Sequence, residues 1–326
     1  MPRPGESWPD RGRGVPRFPL WAHRPTGERT WVLGGGGGRG AAQVGALLAF
    51  FEYGLEPPDR LIGVSIGALN GTVLGAFPTL AGAEMLRELW LSRQARDVFR
   101  THPLNMVWSR IVGAAMTALP ATNVTRVIER ALQLCGIDDF RDLQVPLEVL
   151  ATDINAGRPH VFSSGPLLPA LQASTAIPGI FPAVELDGQS YLDGGIVDNM
   201  PISLAVERGS REILGIGLMA GGELDRQQMS WPELMGRTLQ LSLHHRMLSD
   251  FERLRQRGKV VLLCPVLGPG EGLDMRRDHL EATIERVRAA TLRLLREQGR
   301  RLFARSGIHY VQSDTGSPEA PSPALE

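Results

Sequence analysis

The 326-residue chain is 43% hydrophobic, enough to bury the core of one large α/β domain or two small ones. Its formal net charge is zero, so no whole-molecule field draws it to nucleic acid, and no nucleic-acid partner is expected. Two distant cysteines, Cys135 and Cys264, exclude a disulfide framework and fit buried thiols or a reducing compartment.

Residues 1–29, rich in Pro, Gly and Arg without a period, read as a disordered arm, and nothing in them has the apolar core of a signal peptide. From Thr30 the pattern alternates. A short strand (31–33) runs into five glycines, Gly34 to Gly38, and Arg39-Gly40 opens a helix over 41–53. Pro57-Pro58 breaks the chain before a second strand, Leu61 to Val64. This βαβ spacing predicts a parallel sheet whose ligand site lies at the carboxyl ends of its strands. Residues 61–80 are apolar enough to consider as a membrane span. Four glycines, Ser65, Asn70 and Pro78 favour a turn and a packed helix, so no transmembrane helix is expected.

Residues 83–134 read as helical, with breaks near Pro103 and Pro120. The stretch from Leu104 to Leu119 is unusually apolar; it is a lid, a face that touches lipid, or simply core, and burial is the commoner fate of such a stripe. Strands follow at 146–152 and after the turn at Asp153, then a helix at 168–176 that ends before Pro178. A hairpin over 184–190 leads to Tyr191-Leu-Asp193, and further strands lie at 213–218 and 260–264. Residues 276–305 form a long amphipathic helix with nine Arg against four acids. It either lies on anionic lipid or closes the fold with Leu280, Ile284, Val287, Leu294, Leu295 and Leu302, and the second reading is favoured. The domain organisation expected is a catalytic core over 30–220, its completion over 221–310, and a disordered tail over 311–326.

Two stretches carry chemistry. The glycine run precedes a helix start, where backbone N–H groups lack internal partners and the dipole is positive, so it is a seat for negative charge. Gly63-Val-Ser65-Ile-Gly67 sits between a strand and a helix, which is the nucleophile-elbow pattern: Gly63 and Gly67 leave room for a sharp turn that lifts Ser65 clear. A serine needs a base. The seven histidines are isolated or, as His244-His245, lie in a helical run. Asp193, before Gly194-Gly195, is by itself a turn former; beside Ser65 it becomes a candidate general base, its basicity raised if the carboxylate is held dry.

Gly35-Gly-Gly-Gly-Arg-Gly40, Gly63-Val-Ser-Ile-Gly67, Ala173-Ser-Thr-Ala-Ile-Pro-Gly-Ile-Phe-Pro182 and Asp193-Gly-Gly195 occur in the order and spacing of the patatin-like phospholipases, and the chain most resembles bacterial members of that family. The resemblance covers roughly residues 30–220. It implies a three-layer α/β/α fold with a mainly parallel central sheet, and hydrolysis of lipid acyl esters by a Ser–Asp dyad through an acyl-enzyme. Carried onto this chain, Ser65 is the nucleophile and Asp193 the base. The oxyanion hole falls on Gly35, Gly36, Gly37, Gly38, Arg39 and Gly40, best on Gly36 to Gly38, with Arg39 steadying the loop or a lipid phosphate. Gly63, Gly67, Gly194 and Gly195 support the motifs. Gln43 stands where the family often has histidine, and the glycine run is longer than usual. The partner implied is a lipid, with peripheral membrane contact left open, and the localisation expected is cytoplasmic or peripheral to a membrane. No cofactor and no calcium are implied, and no metal-ligand cluster such as HExxH or an EF-hand loop occurs in the sequence.

Three rivals remain. Gly35-x-Gly37-x-x-Gly40 also fits a dinucleotide fingerprint, but the second strand ends in Val64-Ser65 where an acidic residue would hold ribose. A Ser-His-Asp hydrolase would draw its base from His279 or His309. A lipid-binding protein with a dead site would keep the fold without the reaction.

Overall fold

The computed structural model of the protein describes residues 29–98, 120–220, 231–267 and 274–312. The apolar stretch 104–119, read as lid, lipid face or core, lies wholly outside them, as do residues 1–28 of the expected arm and 313–326 of the expected tail; Arg29 and Val311, placed in the arm and the tail from sequence, stand instead in the first and the last strand. In the first half, β1 (Arg29–Leu33), α1 (Gly40–Tyr53), β2 (Arg60–Val64) and α2 (Ile66–Ala76) make the βαβα opening. Then come α3 (Leu80–Trp90), the short α4 (Arg93–Arg96), α5 (Thr122–Cys135), β3 (Leu147–Asp153), β4 (Arg158–Phe162) and α6 (Leu167–Ser174). The second half holds β5 (Val184–Leu186), β6 (Gln189–Asp193), α7 (Ile202–Glu207), β7 (Glu212–Ile216), β8 (Met219–Ala220), α8 (Trp231–Leu254), β9 (Lys259–Leu267), α9 (Arg277–Gln298) and β10 (Gly307–Val311).

Pairing runs β10–β9–β7–β1–β2–β3, all parallel, and β3 then takes β4 and β6 antiparallel. Successive residues of a strand point to opposite faces, and here both faces are covered. Trp31, Leu33, Leu61, Leu214, Ile216, Val261 and Leu263 join a core with α1, α2, α3, α5 and α9. Their neighbours Val32, Ile62, Val64, Ile213, Leu262 and Cys264 join a second core with α7 and α8. The result is three layers, helices on both sides of a mostly parallel sheet.

α1 is apolar all round because it lies between the sheet, α3 and α9; every residue from Gly40 to Phe50 is buried. α9 presses Leu280, Ile284, Val287 and Leu295 into the main core, and Arg288 grips Glu52 of α1 at 2.6 and 3.0 Å. Its apolar side therefore closes the fold. The helix stops sooner than its sequence suggests, at Gln298, because Gly299 takes φ 51° and turns the chain into a 3-10 turn and then β10. Cys135 and Cys264 are buried free thiols, pushed up to about 12 by burial and therefore inert. Among the described residues no helix is long and apolar enough to cross a membrane.

Candidate active site

β2 ends at Val64 and α2 begins at Ile66, leaving Ser65 to make the whole turn with φ 54° and ψ −126°. A left-handed backbone at a non-glycine residue costs on the order of 1–3 kcal/mol and persists only where neighbours enforce it. The neighbours are identifiable. The Ser65 N–H donates to Ser174 Oγ at 2.8 Å, and that hydroxyl donates in turn to the Leu150 carbonyl at 2.6 Å. The Ser65 carbonyl accepts from Ala68 N–H at 2.9 Å and so starts the helix. Gly67 lies directly on the carbonyls of Leu33 and Gly34, and a Cβ there would collide with both. Gly63 is pressed against Ala68 in the same way.

The topology of β3 delivers the carboxylate. Residues 149 and 150 pair with β4 on one edge and with β2 on the other; residues 151–153 pair with β4 and with β6. β6 therefore occupies the edge of β3 that β2 vacates, with Val64 opposite Leu150 and Asp193 opposite Ala151. The ends of two strands meet head to head, and Ser65 and Asp193 are the residues at the meeting point. Asp193 is anchored by its N–H on the Ala176 carbonyl (2.9 Å) and by its carbonyl, which accepts from Thr152 Oγ1 (2.8 Å). Gly194 lies so close on the Leu150 carbonyl that no Cβ fits. Burial pushes the Asp193 carboxyl up to about 6, against the hydrogen-bonding pull of the Ser65 side chain and of the Gly195 N–H, 2.8 Å from Oδ1.

The N–H groups of the glycine loop divide into two sets. Gly34 donates to Ile216 O (3.1 Å), Gly35 to Asn199 O (3.4 Å), Arg39 to Gly36 O (3.2 Å), and Gly40 to the carbonyls of Gly37 and Gly38. Gly36, Gly37 and Gly38 have no N–H acceptor among the described residues. Of the six loop residues singled out from sequence, Gly35, Arg39 and Gly40 thus use their N–H groups to shape the loop, and the other three keep theirs available. Asn199 Nδ2 ties the loop from below by donating to the Gly35 carbonyl at 3.1 Å. The Arg39 guanidinium makes a fork to Gln240 Oε1 of α8 at 3.0 and 3.1 Å, in the amide orientation that satisfies both groups.

Gly37, Gly38 and Ser65 open onto a cavity with about 560 Å³ of atom-free space, including the part open to solvent. Its wall is apolar: Ile66, Leu69, Leu89, Trp90, Val127 and Phe181 stand in it, and among the described residues Thr175 is the other hydroxyl besides Ser65. No described histidine enters the hydrogen bonding of Ser65 or Asp193. His309 lies on β10, four strand spacings from β2, or about 19 Å. His279 faces Asp274, with Nδ1 3.8 Å from its carboxylate. Among the described residues no group of side chains could hold a metal ion.

A strained serine between a parallel strand and a helix, at the carboxyl end of a three-layer α/β sheet, defines a protein of the nucleophile-elbow class. The model of the patatin-like phospholipase family matches residues 31–206, more than half of the chain and from β1 through α7, and the chain belongs to that family. An uncharacterised NTE family protein of Mycobacterium tuberculosis is 28% identical over 193 residues, 59% of this chain and 46% of that protein. Patatin-like phospholipase domain-containing protein 7 of Rattus norvegicus is 28% identical over 200 residues, 60% of this chain and 14% of the relative. The match therefore spans less than half the length of these curated relatives. Among solved structures, VipD from Legionella pneumophila aligns with a TM-score of 0.47 and 16% identity over 83% of this chain and 67% of its own.

Asn199 and Ser174 are site residues that motif reading passed over. Both stand inside quoted or adjacent stretches, Ser174 in Ala173–Pro182 and Asn199 four residues after Gly195. Their partners are backbone atoms distant in sequence, and no local pattern announces such a bond.

Proposed function

We propose that this protein is a serine acyl hydrolase that cleaves lipid acyl esters of the phospholipid or lysophospholipid type. The observation that carries the reading is a buried carboxylate, raised to about 6, interacting with a strained serine at the mouth of an apolar cavity. Such a carboxyl is ionised at neutral pH yet basic enough to take a proton. In the reaction, Ser65 Oγ attacks the ester carbonyl carbon while its proton passes to Asp193. The carbonyl electron pair moves to oxygen, and the N–H groups of Gly36, Gly37 and Gly38 donate to the oxyanion, aided by the positive ends of α1 and α2. Collapse of the tetrahedral species expels the alcohol, which takes the proton from Asp193 and leaves Ser65 acylated. Water then attacks, again giving its proton to Asp193, and the acid departs as Ser65 recovers its hydrogen.

The apolar wall suits an acyl chain and offers nothing to ribose or phosphates, which disfavours a dinucleotide. The family membership supports a lipid ester as substrate. A lysophospholipase of Mycosarcoma maydis, 29% identical over 57% of this chain and 9% of its own length, supports the single-chain phospholipid class in particular. A fluorophosphonate probe and a p-nitrophenyl ester test the reading together. The wild type is expected to be labelled at Ser65 and to hydrolyse the ester, and Ser65→Ala to do neither while keeping its fold. Hydrolysis by folded Ser65→Ala would end the proposal.

A further inference from the structure

Under the glycine loop lies a small polar network in an otherwise apolar interior. Gln43 of α1 and Asn70 of α2 are each 0% exposed. Buried amides are costly unless their hydrogen-bonding groups find partners. Here each one does. Gln43 Nε2 donates to Gly34 O at 3.3 Å and to Ile216 O at 3.4 Å. Asn70 Nδ2 donates to Gly40 O at 3.3 Å and to Gln43 Oε1 at 2.9 Å, and Asn70 Oδ1 accepts the Trp90 indole N–H at 3.0 Å. Each amide uses both donors and its oxygen. Turning either one over would set donor against donor, so the orientation of the pair is fixed.

The atoms this network grips have a pattern. Gly34 and Gly40 are the two feet of the loop, and the three N–H groups without an acceptor, those of Gly36 to Gly38, form the crest between them. Trp90 stands in the wall of the apolar cavity, and its ring lies so close to Gly40 that a Cβ there would strike it. We propose that Gln43 and Asn70 are positioning residues that set the height and angle of the crest N–H groups, and that the Trp90 indole ties this setting to the cavity wall that receives the acyl chain. The inference rests on the hydrolase reading above. Its physical content is that a glycine loop has little rigidity of its own, because glycine has the most conformational freedom to lose. A preorganised oxyanion site on such a loop needs its feet clamped from outside.

Gln43→Met tests this, since Met nearly matches the volume and removes the amide. Loss of one whole oxyanion donor costs about 10²–10³ in turnover, and a misplacement of about 1 Å about 10², so displacement of the crest is expected to lower kcat by about 10- to 100-fold. KM for a p-nitrophenyl ester should stay within about two-fold, because the cavity wall is untouched. Affinity for a trifluoromethyl ketone, which becomes a Ser65-bound oxyanion, should fall by the same factor as kcat/KM. Trp90→Phe deletes the indole N–H and also one of the two fused rings from the cavity wall, so KM can change with chain length while kcat should fall by about 3- to 10-fold, the loss of one neutral hydrogen bond. Folded Gln43→Met with wild-type kcat, or with a change confined to KM, overturns the proposal. Should Gln43→Met fail to fold, unchanged kcat in Trp90→Phe overturns it alone. A wild type that neither hydrolyses the ester nor reacts with fluorophosphonate removes the hydrolase reading first and this one with it; an active wild type with an indifferent Gln43 removes only this one.

Discussion

Asp193→Asn separates the catalytic cost of the buried carboxylate from its cost to stability. In the folded protein the carboxyl sits at about 6, against an ordinary 3.8. The raised value means that the folded state holds its proton more tightly than the unfolded chain does. Between roughly pH 4 and pH 6 the folded state therefore binds more protons, and stability falls as pH rises through that window. Above it, folding carries the full cost of a dry ionised carboxylate: about two pKa units at 1.36 kcal/mol each, or about 3 kcal/mol. Asn keeps an oxygen for the Gly195 N–H and carries no charge, so the variant escapes this cost at pH 8 and gains nothing at pH 4. For a chain of this size, 3 kcal/mol corresponds to about 4 °C in Tm. Differential scanning fluorimetry of wild type and Asp193→Asn from pH 4 to pH 8 reads the difference directly. The variant should be inactive towards a p-nitrophenyl ester throughout, yet more stable at pH 8, with the gap closing below pH 5. A variant less stable at pH 8, or a gap independent of pH, would refute the argument that burial raises this carboxyl.

The same carboxyl predicts that kcat/KM of the wild type rises with pH along a one-proton limb centred near 6, as Asp193 loses its proton; a limb centred near 4 would mean the carboxylate is wet. Ser174→Ala leaves the Ser65 N–H without its acceptor and takes one donor from the Leu150 carbonyl, so thermal or urea unfolding should show a loss of about 1–3 kcal/mol, and kcat should fall as the elbow relaxes. Val127→Trp fills the cavity wall, and a series of p-nitrophenyl esters should show the ratio of long-chain to acetyl hydrolysis lowered by about ten-fold, the equivalent of 1.4 kcal/mol of overpacking. Glu148 joins Arg60 (2.6 Å) and Arg208 (2.9 Å) away from the cavity; Glu148→Ala should destabilise by about 3 kcal/mol in urea melts, at the lower end for a broken buried pair because Arg208 regains water, with ester hydrolysis unchanged at 25 °C.

The features legible in the sequence are those with local causes. A strand, a glycine-flanked serine and a helix occupy consecutive residues, so the elbow at Ser65 could be read from Gly63, Gly67 and the apolar runs on either side. The alternation of apolar runs and breaks gave the parallel sheet in the same way. Partner choice over long sequence separations was not legible. Gln43 reaches Ile216, Asn199 reaches Gly35 and Ser174 reaches Ser65, across 173, 164 and 109 residues, and an amide or hydroxyl in a helix or a bend looks the same whether or not such a backbone group awaits it. β10 escaped for a related reason. Gly-Ile-His-Tyr-Val carries the strand formers Ile, Tyr and Val, but it follows directly on a helix read as far as 305 and has β9 as its one neighbour, so nothing local sets it apart.

That β6 continues along the edge of β3 vacated by β2 has a consequence for how the site and the fold constrain each other. Three locally unfavourable features meet where those strand ends face: a serine at φ 54°, a carboxylate in a dry setting, and a loop with three N–H groups that find no acceptor among the described residues. Each alone would be removed by a single neutral substitution, to Gly, to Asn or to a shorter loop. Folding favours all three removals, and the one coupling among them, the pull of the Ser65 side chain on the Asp193 carboxyl, leaves that carboxyl well above its ordinary value. Their coincidence within one turn of chain on each side therefore has no structural cause, whereas acyl transfer requires a nucleophile, a base and an anion seat around one carbonyl. The anchors follow the same logic: Ser174 holds the elbow, Thr152 and Ala176 hold Asp193, and Gln43, Asn70 and Asn199 hold the loop. Each unfavourable group has its own set of buried or half-buried hydrogen bonds, so that strain at the reacting atoms is borne by the sheet and the helices packed on it.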